Sequence, residues 1–206
     1  VPTSIDSVYV NAWRSSWAEL LFTIYSQHPP GFHGLLFNLE DADAGNGVLT
    51  SPDQYRFVDL WNHEMVTPVK KNGKTWIPVT IDPFPKQWLE TRQEGSNSCI
   101  AVYKKSLEVK LEDKFLTFSA SSGDRIVITG GDPIYQAIQD TFPTGTNRIN
   151  YINYLGQNIH KIVIQLYNDN QLMDEVVLKI PDAKPVLITE RQPTRPSGVL
   201  PAGMVE

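Results

Sequence analysis

The sequence predicts an all-β protein: antiparallel β-sandwich sheets in two lobes, with one short helix and an extended C-terminal arm. Three observations carry this. Apolar and polar residues alternate over short runs along most of the chain, the pattern of half-buried strands in antiparallel sheets. Gly, Pro, Asn and Asp punctuate those runs, while a good helix start signal appears only once. Of the 206 residues, 41% are hydrophobic and 20% charged, which is ordinary globular usage and far from the signature of disorder.

In chain order, the alternating runs predict strands at Ser7–Trp13, Ala18–Tyr25, Gly34–Leu39, Tyr55–Trp61, Met65–Val69 and Thr75–Ile81. They continue at Cys99–Tyr103, Leu107–Leu111, Phe115–Ser119, Arg125–Thr129, Arg148–Ile152, Lys161–Tyr167 and Gln171–Ile180. Three hairpins follow from turns that tolerate positive φ between two such runs: Lys71-Asn72-Gly73-Lys74, Glu112-Asp113-Lys114 and Asn168-Asp169-Asn170. In the last, Ile162, Ile164 and Leu166 share one face, opposite Leu172, Val176, Leu178 and Ile180 on a core-facing side. Gly131-Asp132-Pro133 reads as a capped helix start, with Asp132 accepting from the first turn, and predicts a helix over Pro133–Asp140. A weaker signal suggests a second helix over Pro85–Thr91.

The length suits one large β domain or two small ones. The best boundary is near Tyr103-Lys104-Lys105-Ser106, because the segment after it has the length and strand spacing of one small sandwich. The expected organisation is a sandwich-like lobe over 1–104, an immunoglobulin-like lobe over 105–182 and a Pro-rich arm over 183–206. In the arm, Pro185, Pro193, Pro196 and Pro201 deny it a regular ladder, so its order must come from contacts outside its own lobe.

A net charge of −5 repels phosphate, and the basic pairs Lys70-Lys71 and Lys104-Lys105 are isolated, so nucleic acid is not an expected partner. The longest apolar runs, Leu20–Phe22 and Gly34–Phe37, fall far short of the roughly 18 residues a spanning helix needs, so no membrane insertion is expected. Cys99 is the single cysteine, which excludes internal disulfides and Cys-based zinc sites. Val1-Pro2-Thr3-Ser4 opens without Met, as expected of a Met-processed chain or a segment cut from a longer one, and the compartment cannot be read from it.

Chemistry-bearing patterns are sparse. His28, His33, His63 and His160 include no pair at the helical spacing of a zinc motif, and there is no nucleophile elbow, phosphate loop or dinucleotide fingerprint. Carboxylate pairs such as Asp59 with Glu64, or Asp82 with Glu90, fit a glycosidase cleft only if the fold sets their separation, and are otherwise surface charge. Asp41, Asp43 and Asn46 bring hard oxygen ligands into one loop, which suits calcium; the competing reading is a solvated acidic turn, because Asn46 and Pro52 stand where an EF-hand loop has Gly and Glu. Aromatic residues make up 10% of the chain, and Trp61, Trp76 and Trp88, with His63 nearby, fall near strand ends. Flat rings beside hydrogen-bonding groups suit sugar faces, while the competing reading buries them in the core.

The run Tyr55-Arg56-Phe57-Val58-Asp59-Leu60-Trp61-Asn62, with Val66-Thr67-Pro68-Val69, Asn72-Gly73-Lys74-Thr75-Trp76 and Ile77-Pro78-Val79-Thr80-Ile81, resembles a hairpin of accessory β-sandwich domains in secreted glycoside hydrolases. The resemblance carries no catalytic motif. It implies a non-catalytic, carbohydrate-binding accessory module of a polysaccharide-processing protein, with a glycan as partner. The rival expectation is a structural subunit of a virion or other large assembly, whose C-terminal arm packs on neighbouring subunits. Either role places the chain in an extracellular or virion setting.

Overall fold

The alternating runs form fifteen strands among the described residues: β1 Val8–Trp13, β2 Leu20–Ser26, β3 Phe32–Asn38, β4 Tyr55–Asp59, β5 Glu64–Val66, β6 Val69–Lys71, β7 Lys74–Ile81, β8 Ser96–Lys104, β9 Leu107–Glu112, β10 Phe115–Ala120, β11 Arg125–Asp132, β12 Gln136–Phe142, β13 Asn147–Asn150, β14 Lys161–Asn168 and β15 Gln171–Lys179. The computed structural model describes residues 1–14, 18–42, 48, 50–84, 96–132, 136–156 and 161–180. Every strand pairing is antiparallel. The chain is all-β, as the alternation implies.

The strands make two sandwiches. A five-stranded sheet, β1-β2-β8-β4-β5, and a three-stranded sheet, β3-β7-β6, enclose a core of Val10, Phe22, Ile24, Leu36, Phe37, Phe57, Ile77, Val79, Ile100 and Val102. Phe22 and Phe37 meet at its centre with ring centroids 4.8 Å apart. Burying a side chain of this size contributes about 1.5–3 kcal/mol. A four-stranded sheet, β12-β11-β14-β15, and a three-stranded sheet, β13-β10-β9, enclose a second core of Leu107, Leu116, Phe118, Ile126, Ile128, Ile162, Ile164 and Leu166.

The two sandwiches pack back to back through the outer faces of their larger sheets. On β8, Ile100 and Val102 point into the first core, so Ala101 and Tyr103 point the other way. On β14, Ile162 and Ile164 line the second core, so Val163 faces outward. These outward residues, with Ala18, Val58 and Val177, form a third apolar cluster that is the seam between the sandwiches. A sheet buried on both faces explains why β8 and β14 are apolar at consecutive positions.

The N-terminal residues close the open edge of the first sandwich. The Val1 ammonium donates to the Val10 carbonyl at 2.9 Å and the Thr3 hydroxyl to the Val8 carbonyl at 3.0 Å. Ser4 donates its N–H to Leu36 on β3 at 2.7 Å. The edge carbonyls of Val8 and Val10 are thereby occupied, which blunts this part of the edge against pairing with another chain.

The expected helix over Pro133–Asp140 is not there: Gln136–Phe142 is strand β12, paired along β11 from Asp132↔Gln136 to Ile126↔Phe142. Tertiary pairing wins over the local start signal because extension packs Ile138 and Phe142 against the second core, with Phe142 edge-on to Phe118 at 5.2 Å. Asp132 is the last residue of β11. Helical turns among the described residues include the short 3-10 segments Pro52–Gln54 and Tyr151–Tyr154. Residues 133–135, the expected second helix over 85–91 and the Pro-rich arm lie outside the described residues.

Candidate functional site

The turn from Asp59 to Glu64 is built on one carboxylate. Asp59, almost fully buried at the end of β4, accepts from the N–H groups of Trp61 (2.9 Å) and Asn62 (3.0 Å), the Asn62 side-chain amide (2.9 Å) and the Ser98 hydroxyl (3.0 Å). This is an Asx-type turn, in which a side chain replaces backbone partners. It leaves Trp61 69% exposed at the tip. His63 follows at φ 47, a left-handed position that His adopts more readily than bulky apolar residues.

His63 points across the seam rather than toward solvent partners. Its Nδ1 lies 2.9 Å from the Glu175 carboxylate on β15, and Gln165 Nε2 donates to the other Glu175 oxygen at 2.7 Å. The hydrogen bond to Glu175 raises the His63 pKa above its ordinary 6.5, against the opposing effect of partial burial. Lys161 of β14 donates to the Asn62 carbonyl at 2.7 Å, and Lys179 pairs with Glu64 at 2.6 Å.

Beside this turn lies a cleft of about 420 Å³ between β5 and the part of β7 that β6 leaves uncovered. Polar groups of His33, Asp59, Asn62, Glu64, Asp82 and Lys161 line it, over an apolar floor that includes Val79 and Ile100. Asp59 is hydrogen bonded within its own turn, and Glu64 pairs with Lys179. Glu90, the expected partner of Asp82, lies outside the described residues.

Of the tryptophans singled out by type, the two described stand on different sheets. Trp61 sits on the β4–β5 turn of the five-stranded sheet, and Trp76 lies half-buried on β7 of the three-stranded sheet, opposite Val69 and Asn38. Trp88 lies outside the described residues. Of the loop carboxylates, Asp41 is described: both of its oxygens accept from Lys74 (2.7 and 2.8 Å), and one also accepts from the Asn38 amide at 2.7 Å. Lys74 holds the Asp41 carboxyl below the usual range and already supplies the cation there. Asp43 and Asn46 lie outside the described residues.

A different group of aromatics does converge. On β1 the buried Val8 and Val10 alternate with exposed Tyr9, Asn11 and Trp13. On β2 the buried Phe22 and Ile24 alternate with Leu21, Thr23 and Tyr25. The register sets Tyr9 opposite Tyr25, Asn11 opposite Thr23 and Trp13 opposite Leu21, so all six side chains share one face. Tyr9 and Tyr25 stack with centroids 6.3 Å apart and planes 23° from parallel. The Trp13 indole N–H donates to the Thr23 hydroxyl at 3.0 Å, and Gln27 donates to the Tyr25 hydroxyl at 3.3 Å.

Tyr9, Trp13 and Tyr25 are 53%, 56% and 41% exposed, yet two paired strands hold them. At about 3.4 Å per residue, Tyr9 and Trp13 stand roughly 14 Å apart along β1. Asn11, Thr23 and Gln27 supply uncharged donors and acceptors between and beside the rings. The signal for this surface was present in the sequence as aromatic residues at the positions alternating with Val8 and Val10. No protein-family model, curated protein or solved structure matches the chain.

Proposed function

We propose that the chain is a non-catalytic carbohydrate-binding module of a polysaccharide-processing protein, with Tyr9, Trp13 and Tyr25 as its contact surface. The observation that carries the reading is the set of three exposed rings fixed on adjacent strands with an uncharged hydrogen-bonding rim. Sugar rings present C–H faces that stack on aromatic rings and hydroxyls that need both donors and acceptors. Strand-held rings lose little conformational freedom on binding, which favours affinity. The engagement of Asp59 and Glu64 by their own neighbours supports a binding role over hydrolysis.

The rival, a structural subunit of a virion or other assembly, draws on the prolines of residues 183–206 and can use the same exposed rings as a subunit contact. Affinity electrophoresis through gels containing neutral polysaccharides of different linkage separates the two readings. The glycan reading expects retardation in at least one gel and a loss of about tenfold or more in affinity for Trp13→Ala, since tenfold corresponds to roughly 1.4 kcal/mol. Free migration in every gel, with concentration-dependent self-association abolished by Trp13→Ala, overturns it in favour of the assembly.

A further inference from the structure

We propose that His63 and Glu175 form a pH-sensitive latch that closes the second sandwich onto the first when His63 is protonated. Glu175 lies on the outer face of the four-stranded sheet, where its carboxylate has no solvent exposure, while the His63 side chain is 44% exposed and open to proton exchange. The partners of that carboxylate are His63 from one sandwich and Gln165 from its own. With imidazolium opposite it, the buried charge is paired; with neutral imidazole, an unneutralised carboxylate remains between two sheets, a costly arrangement.

The groups around the pair are defined. Asp59 favours the imidazolium and Lys161 opposes it, but neither exceeds the hydrogen bond to Glu175. Glu64, adjacent to His63, is neutralised by Lys179 and Lys161. Tyr103 and Tyr167, which feel the Glu175 charge, are pushed upward by burial and stay neutral near physiological pH, and burial likewise pushes up the nearby Cys99 thiol. A separate contact holds the other end of the seam: Arg56 pairs with fully buried Asp174 and donates to the Leu107 carbonyl, and Asp174 accepts from the Ser106 and Leu107 N–H groups at 2.8 Å. Guanidinium–carboxylate pairs do not depend on a proton in the range where imidazole does. The linker end is therefore a fixed pivot, and the His63 end is the part that opens.

The direction follows from linkage. The folded protein holds the His63 proton more tightly than the unfolded chain, so the stabilisation is fully present below about pH 6.5 and is lost as pH rises through the raised folded-state value. Other ionisable groups add to the pH dependence of the whole chain, so the informative quantity is the difference between wild type and variant.

His63→Gln preserves a donor without the charge, and Glu175→Gln preserves shape without the carboxylate. Melting temperatures between about pH 6 and pH 9 are expected to fall by a few degrees more in wild type than in either variant. Proton NMR is expected to show the His63 ring titrating above 6.5 in wild type and returning toward 6.5 in Glu175→Gln. Exchange of the Val163 and Val177 amides, corrected for intrinsic rate, is expected to rise with pH in wild type and not in Glu175→Gln. An unchanged His63 midpoint in Glu175→Gln, a wild-type slope retained by His63→Gln, or seam exchange that ignores pH each overturns the latch.

Discussion

At Gly130 a side chain has no room. A Cβ there would lie 2.3 Å from the Tyr154 carbonyl oxygen and 2.8 Å from its Cβ, and both belong to a turn pinned to the sheet by the Tyr154 hydroxyl on Asp140 at 2.5 Å. Because the obstacle includes backbone, Gly130→Ala is expected to destabilise by about 1–3 kcal/mol in urea unfolding, with an unchanged m-value. Asp59 gives a second test. Asp59→Ala removes the acceptor of the hydrogen bonds that shape the Trp61 turn, and a loss of about 2 kcal/mol is expected. Neither role could be read from the sequence, because Gly130 meets Tyr154, and Asp59 meets Ser98, only through folding. The aromatic residues show the opposite case. Strand parity around Val8 and Val10 marks Tyr9 and Trp13 as outward-facing without any structure, whereas nothing local says that Trp61 is exposed and Trp76 half-buried.

Hairpins were the most legible elements because their turns are local. Asn72 and Gly73 have φ of 53 and 76, and Asp113 and Asp169 have φ of 51 and 52, the left-handed values those residue types tolerate. The β9–β10 and β14–β15 pairings grow from them as expected, whereas Asn72-Gly73 joins β7 to Val69–Lys71, and the expected strand Met65–Val69 divides between β5 of the other sheet and β6. Gly73 would meet nothing within 4 Å on gaining a Cβ, so Gly73→Ala isolates the conformational cost. It is expected to lower stability by about 1 kcal/mol in urea unfolding while leaving the proposed binding at the β1–β2 face unchanged. Strand β12 was illegible for the converse reason. Asp132-Pro133 is a sound local start signal, but the pairing with β11 and the burial of Phe142 beside Phe118 are long-range. The bulge that skips Met173 has no local signature either, and it turns Leu172, expected on the core face with Val176, toward the seam cluster.

At the scale of the molecule, the seam makes the two sandwiches one unit. Apolar contact across Val58, Ala101, Tyr103, Val163 and Val177 supplies area, and Arg56–Asp174 fixes the geometry. Arg56→Met leaves the buried Asp174 charge without its cation, and a loss of about 3–5 kcal/mol is expected, with amide protection falling at the seam before either core. The aromatic surface lies beside this seam, on the same face of the five-stranded sheet, with Leu21 joining the two. The second sandwich covers the middle of that face and leaves β1 and the outer part of β2 open.

On the proposed reading, Tyr9, Trp13 and Tyr25, rather than Trp61 and Trp76, meet the ligand. Its most direct test follows the indole N–H resonances by proton–nitrogen NMR during titration with oligosaccharides of the retarding polysaccharide, with Trp13→Phe and Trp61→Phe used for assignment. The Trp13 resonance, held by its hydrogen bond to Thr23, is expected to shift in a saturable manner while those of Trp61 and Trp76 stay in place. Movement of Trp61 or Trp76 with Trp13 unmoved would contradict the account.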